Sequence, residues 1–144
     1  MWETIEWFEP KEFDDPLYPE SGLNIDMRIP VTLDALRKKT GWPIIPHWKV
    51  GGCVDMHGNH GHAEKSYHLT KVGASACDFH FKTDASMREQ IAHVLHAGFY
   101  AVGIYFCWRW NDKNLDVGFH VDFRPIYGFQ VWTCREKGKY VYLV

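Results

Sequence analysis

The chain has 144 residues, a formal net charge of -2 and an aromatic share of 16%. That length fits one domain with a real core, and the bulky side chains suffice to fill it. Weak net charge with no basic block excludes a nucleic-acid binder that relies on phosphate contacts, and no apolar run is long enough to cross a bilayer.

Residues 1–30 are aromatic, acidic and broken by Pro10, Pro16, Pro19 and Pro30, so Trp7, Phe8 and Phe13 are expected to pin this segment onto the body as a wrap. The start, Met1-Trp2-Glu3-Thr4-Ile5-Glu6, does not read as a signal peptide, which sets the expectation that the chain is made in the cytoplasm. From Val31 to Thr40, Leu33 and Leu36 followed by Lys38, Lys39 and Gly41 predict a short amphipathic helix with a glycine stop. Pro43 to Val54 predicts a strand leading into Gly51-Gly52. Residues 55–67 are a polar loop, and with His57, His60 and His62 it is the most chemically loaded loop of the chain. Those three histidines read either as solvated loop residues or as a second metal site.

Next comes a strand at Cys77–Lys82. Asp84 or Ser86 can cap a helix running through His96, with Met87, Ile91, Val94 and Leu95 inward, His93 and His96 outward, and Gly98 as its end. Phe99–Cys107 predicts a buried strand, Trp108–Gly118 a loop, and Gly118–Arg124, Gly128–Cys134 and Tyr140–Leu143 three more strands. The last two are joined by a turn at residues 136–139. This order predicts a single α+β domain over residues 1–144: a small, mostly antiparallel sheet with two or so helices packed on it. Cys53, Cys77, Cys107 and Cys134 are spaced too evenly for a metal knuckle and read as small buried thiols, with a disulfide, unpaired by the sequence, as the alternative.

Two alternating runs carry the chemistry. In the first, Ala76, Asp78 and His80 share one face while Cys77, Phe79 and Phe81 share the other. In the second, His120, Asp122 and Arg124 share the polar face of a strand. Neighbouring strands that turn His and Asp into one cleft are the raw material of a mononuclear metal site. His68 lies one short loop before Asp78. His80 is a tempting further ligand, but it is expected on the rim or in a core hydrogen bond.

Ser66-Tyr67-His68, then Gly73, Ala76 and Asp78, then Gly103-Ile104-Tyr105 and His120-Val121-Asp122 resemble the ordered motifs of zinc metallopeptidases with the Hedgehog/DD-peptidase fold. That family includes D-alanyl-D-alanine carboxypeptidases and phage endolysin peptidases. Upstream, residues 7–13, Leu33-Asp34-Ala35-Leu36-Arg37 and Gly41-Trp42-Pro43-Ile44 are similar to its short, phage-associated branch. The resemblance implies one zinc ion per chain on His68, Asp78 and His120, with water in the fourth position. It also implies hydrolysis of an amide bond in a peptidoglycan peptide, as by a phage lysin released to the cell wall.

The chain departs from the family at three places. Leu69-Thr70-Lys71-Val72 lengthens the gap between His68 and Gly73; His57 stands where the family has an arginine; Val117 stands where it has an acid. Asp116, one step away, is the expected general base, and His57 is expected to steady the oxyanion, with Arg109 and Arg124 as substitutes. Asp122 is expected to orient His120. Arg109, Arg124 and Trp110 are expected to bind substrate, Trp110 in an aromatic groove with Trp108, Tyr127 and Trp132. The alternative is a non-catalytic zinc- or cell-wall-binding module on the same fold, such as a phage virion or tail component. A third reading is a metal-free structural domain.

Overall fold

In the computed structural model, which describes residues 1–125 and 128–143, two helices accompany eight strands. In chain order these are α1 (Arg28–Thr40), β1 (Ile44–Pro46), β2 (Ala76–Phe81), α2 (Met87–Leu95), β3 (Ala101–Tyr105), β4 (Arg109–Trp110), β5 (Lys113–Asn114), β6 (Gly118–Asp122), β7 (Gln130–Glu136) and β8 (Lys139–Tyr142). Six strands form one sheet in the order β1-β2-β6-β3-β7-β8, and β4 pairs with β5 in a separate hairpin. Every pairing in the large sheet is antiparallel except β3 with β7. The α+β class stands as expected, but six strands make the sheet larger than the small one the sequence suggests. No helix among the described residues is long and apolar enough to cross a membrane.

Strand alternation divides this sheet into two unlike faces. Cys77, Phe79 and Phe81 of β2, Phe119 and Val121 of β6, Val102 and Ile104 of β3 and Val131 of β7 belong to one buried cluster with Ile29, Leu33 and Leu36 of α1 and Val94 of α2. The opposite face brings together the cross-strand neighbours Asp78 and His120, Gly103 and His120, Gly103 and Trp132, and Tyr105 and Gly118. A one-residue slip would turn the phenylalanines out of the core, so the apolar face fixes the register that aligns the polar one.

Several elements differ from the sequence expectation for identifiable reasons. The strand predicted over Pro43–Val54 stops at Pro46, because His47 opens a 3-10 turn at Trp48–Val50. Gly51 ends that turn at φ 81°, with the His60 ring only 2.3 Å from where a Cβ would stand. Helix α1 starts at Arg28, with Pro30 in its first turn, where no amide hydrogen is required. Helix α2 is capped by Ser86, whose hydroxyl accepts from the Glu89 amide while Glu89 accepts from the Ser86 amide. Its Gln90 is buried and donates to the Ala85 carbonyl, whereas Met87, expected inward, is exposed. In the N-terminal segment Phe8 and Phe13 are buried, and the exposed Trp7 instead receives the Arg37 guanidinium at 5.0 Å. Tyr127, one of the four groove aromatics, lies outside the described residues.

Candidate metal centre

Asp78 and His120 sit directly opposite each other on β2 and β6. His68 comes from irregular backbone held just as tightly. Its carbonyl accepts from the Asp55 amide at 3.0 Å, the Asp55 carbonyl accepts from the Thr70 amide at 3.1 Å, and the Tyr67 carbonyl accepts from the Ser75 amide at 2.8 Å. The residues that lengthen the His68–Gly73 gap close into a 3-10 turn at Thr70–Val72.

The three side chains meet at one point. His120 Nδ1 lies 2.8 Å from Asp78 Oδ1, His68 Nε2 lies 3.2 Å from the same oxygen, and the two ring nitrogens are 3.2 Å apart. An ion about 2.0 Å from each of three tetrahedrally disposed donors would space them by about 3.3 Å, so the triangle is the size a zinc ion requires. The far side of each ring agrees. His68 Nδ1 is 2.9 Å from the Cys53 carbonyl oxygen, which can only accept, so that nitrogen carries the proton and Nε2 keeps its lone pair. His120 Nε2 is likewise 2.8 Å from Asp122 Oδ2, which directs the Nδ1 lone pair inward. Two inward ring nitrogens and a carboxylate oxygen set this close could hold a cation; without one, a proton on a ring nitrogen bridges them.

Charge follows this geometry. Burial alone would raise the Asp78 carboxyl, but the charges and hydrogen bonds of His68 and His120 hold it well below the usual carboxylate range. Burial would lower His120, yet its hydrogen bonds to Asp122 and Asp78 reverse that and lift it to about 9. In the metal-free chain a proton on His120 therefore supplies the positive charge. Asp122 is buried, and Arg124 and His120 outweigh that burial to hold its carboxyl below the usual range.

A cleft of about 360 Å³ opens over the triangle, walled by His62, Tyr67, Tyr105, Arg124 and Trp132 among others. Arg124 is largely committed. Its Nε and Nη2 donate to Asp122, its Nη1 donates to Gln130 Oε1 at 2.7 Å, and its plane lies over the rings of Tyr67 and Trp132. It braces Asp122 at the cleft wall. Trp110 stacks on His47 at 4.5 Å, and Arg109 donates to the Asp112 carbonyl while lining a neighbouring cavity beside Asp78. His80 meets His47 through a 2.7 Å ring-to-ring hydrogen bond, the second of the two placements expected of it.

His57 packs edge-on to Tyr18 and lines an adjacent pocket, and Asp116 is exposed before β6; neither is among the residues walling the cleft. The imidazole there is His62. It stacks on the His68 ring at 4.3 Å and 11°, and its Nδ1 donates to Asp55 Oδ2 at 2.8 Å. Asp55 is fully buried, and its Oδ1 accepts from the amides of His57, Gly58 and Asn59. His62, His68 and Asp78 also offer donor atoms within 4.8 Å of one another. The tighter set is the one containing His120, whose three atoms lie within 3.2 Å as they stand. The His57–His62 loop is conspicuous in the sequence, but only His62 reaches the cleft, held there by the buried Asp55, while the buried Asp15 holds His60 elsewhere. Among known proteins, no family model, no curated protein and no solved structure matches this chain.

Proposed function

We propose that the chain is a zinc-dependent hydrolase acting on an amide bond of a peptidoglycan peptide, with His68, Asp78 and His120 holding one zinc ion. The supporting observation is the convergence of two imidazole lone pairs and a carboxylate oxygen, with the remaining nitrogen of each ring already donating to a fixed oxygen. Zinc bound there would supply an acidified water and polarise the scissile carbonyl. The chain's own residues do the rest. Asp122, braced by Arg124, holds the His120 ring, and the Cys53 carbonyl holds His68. His62 is suited to take up the proton at Nε2, because its Nδ1 donates to Asp55 and leaves the Nε2 lone pair free. This assigns to His62 the base role that the sequence suggests for Asp116. The same His–Asp pairing favours a hydrolase over the binding-module reading, since a module that only holds zinc needs no oriented imidazole beside its ligands.

The test is to load the purified protein with zinc and follow soluble peptidoglycan peptides by mass spectrometry. Cleavage at one amide bond is expected, abolished by a chelator and restored by zinc. Protein that holds one equivalent of zinc and leaves every peptide intact overturns the hydrolase and supports the binding module.

A further inference from the structure

Tyr105 closes β3 on the site face of the sheet, diagonal to His120: it pairs with Gly118, two residues before that ligand, while Gly103 pairs with His120 itself. Two glycines and two tryptophans fix its ring. A Cβ on Gly103 would lie 2.6 Å from the Trp132 indole, and a Cβ on Gly118 would lie 2.4 Å from the Trp108 ring. Each tryptophan therefore lies flat across a glycine. From those positions Trp108 stacks on the Tyr105 ring at 4.1 Å and 21°, and Trp132 Nε1 donates to Tyr105 Oη at 3.2 Å. The phenol oxygen thus accepts one hydrogen bond, while its own hydrogen has no acceptor among the described residues. The ring is half-buried and walls the same cleft as His68, Asp78 and His120.

An accepted hydrogen bond polarises the phenol and makes its O–H a better donor. Burial and the nearby Asp78 charge also keep it protonated, well above the usual range for tyrosine. Arg124 cannot serve instead, because it is spent on Asp122 and Gln130, and the cleft's other cation, Lys65, is exposed to solvent. We propose that Tyr105 is a catalytic residue whose O–H donates to the carbonyl oxygen of the bound amide as negative charge develops on it. This inference rests on the hydrolase reading above. It fills the role the sequence suggests for His57, where the resembled family has an arginine, with a neutral donor in place of a cation. Preorganised donors of this kind typically contribute about 10²–10³-fold to turnover.

The test compares wild type, Tyr105→Phe and Trp132→Phe, each loaded with zinc. For Tyr105→Phe we expect one equivalent of zinc, an unchanged melting temperature, KM within about threefold and kcat lower by about 10²-fold. Calorimetry with a phosphinate dipeptide, a tetrahedral counterpart of the amide, should show affinity falling by at least about tenfold. Trp132→Phe keeps the hydroxyl but frees it, and should fall between the two. Tyr105→Phe with wild-type kcat and phosphinate affinity overturns the inference alone. Loss of zinc or of fold in Tyr105→Phe, with a normal Trp132→Phe, shows a structural role and also overturns it. Wild type that holds zinc yet neither cleaves peptides nor binds the phosphinate overturns the hydrolase reading, and this inference with it.

Discussion

Two clusters of histidine and aspartate stand side by side in this molecule, and they are built in opposite ways. Around Asp15, Asp55 and His60 every carboxylate oxygen already receives a hydrogen. Asp15 Oδ1 accepts from the Leu17 amide and the His60 ring, Asp15 Oδ2 from the Met56 amide, and Asp55 from three amides and His62. Around His68, Asp78 and His120 an outside acceptor fixes the outer nitrogen of each ring, so the inner nitrogens face the Asp78 carboxylate with only the His120 proton to share. The first cluster is complete as a staple between the N-terminal segment and the 55–62 loop. The second turns two ring nitrogens and a carboxylate oxygen toward one point that a single cation could bridge. Proximity alone does not separate the two, since both bring their donor atoms within a coordination shell; the direction of the hydrogens does.

The sharpest way to break the comparison is to remove one member from each cluster and measure bound zinc. His68→Ala should lower zinc affinity by more than about 10³-fold, because two donors are left where three are needed. Asp15→Asn should keep one equivalent of zinc and cost about 2 kcal/mol of unfolding free energy, because one buried acceptor oxygen becomes an NH2 that faces a donor. Equal zinc loss in both variants, by metal analysis of the purified proteins, would erase the distinction.

A second test asks whether a proton stands in for the metal. His120 sits at about 9 in the folded chain, above the ordinary histidine value of 6.5. The folded state therefore retains a proton that the unfolded state releases, so this contribution is fully present below pH 6.5 and lost as pH rises through about 9. Chelator-stripped protein should lose up to about 3 kcal/mol across that window in denaturant titrations, and zinc-loaded protein should not. Parallel curves for the two forms would sink the idea. The smallest effect is expected at the brace: Asp122→Asn should weaken zinc by about 10–100-fold without abolishing it, read by competition with a chromogenic chelator.

The sequence makes the sheet residues of the proposed site legible and the loops much less so. In 76–81 and 118–123 the apolar residues alternate, which assigns Asp78 and His120 to faces before any pairing is known. His62 has no such signal. Its inward turn depends on a buried carboxylate whose own position depends on three loop amides, all tertiary facts. Asp116 shows the converse: four residues before His120 along the chain, it is exposed, and the cleft is walled instead by side chains from neighbouring strands and the 62–68 loop. The β4–β5 hairpin was hidden because Arg109-Trp110-Asn111-Asp112-Lys113-Asn114 has no apolar alternation. Its one clue is Asn111-Asp112, both at positive φ (50° and 62°), residues that tolerate the tight hairpin turn.

Because Asp78 and His120 face each other across a single rung of β2 and β6, shifting that rung by one position would send one of them to the far side. An ion gripping both would stabilise only chains in which this central pair is aligned. Metal supply during folding would then act as a proofreader of strand alignment, raising the yield of correctly threaded molecules as well as equipping the finished one.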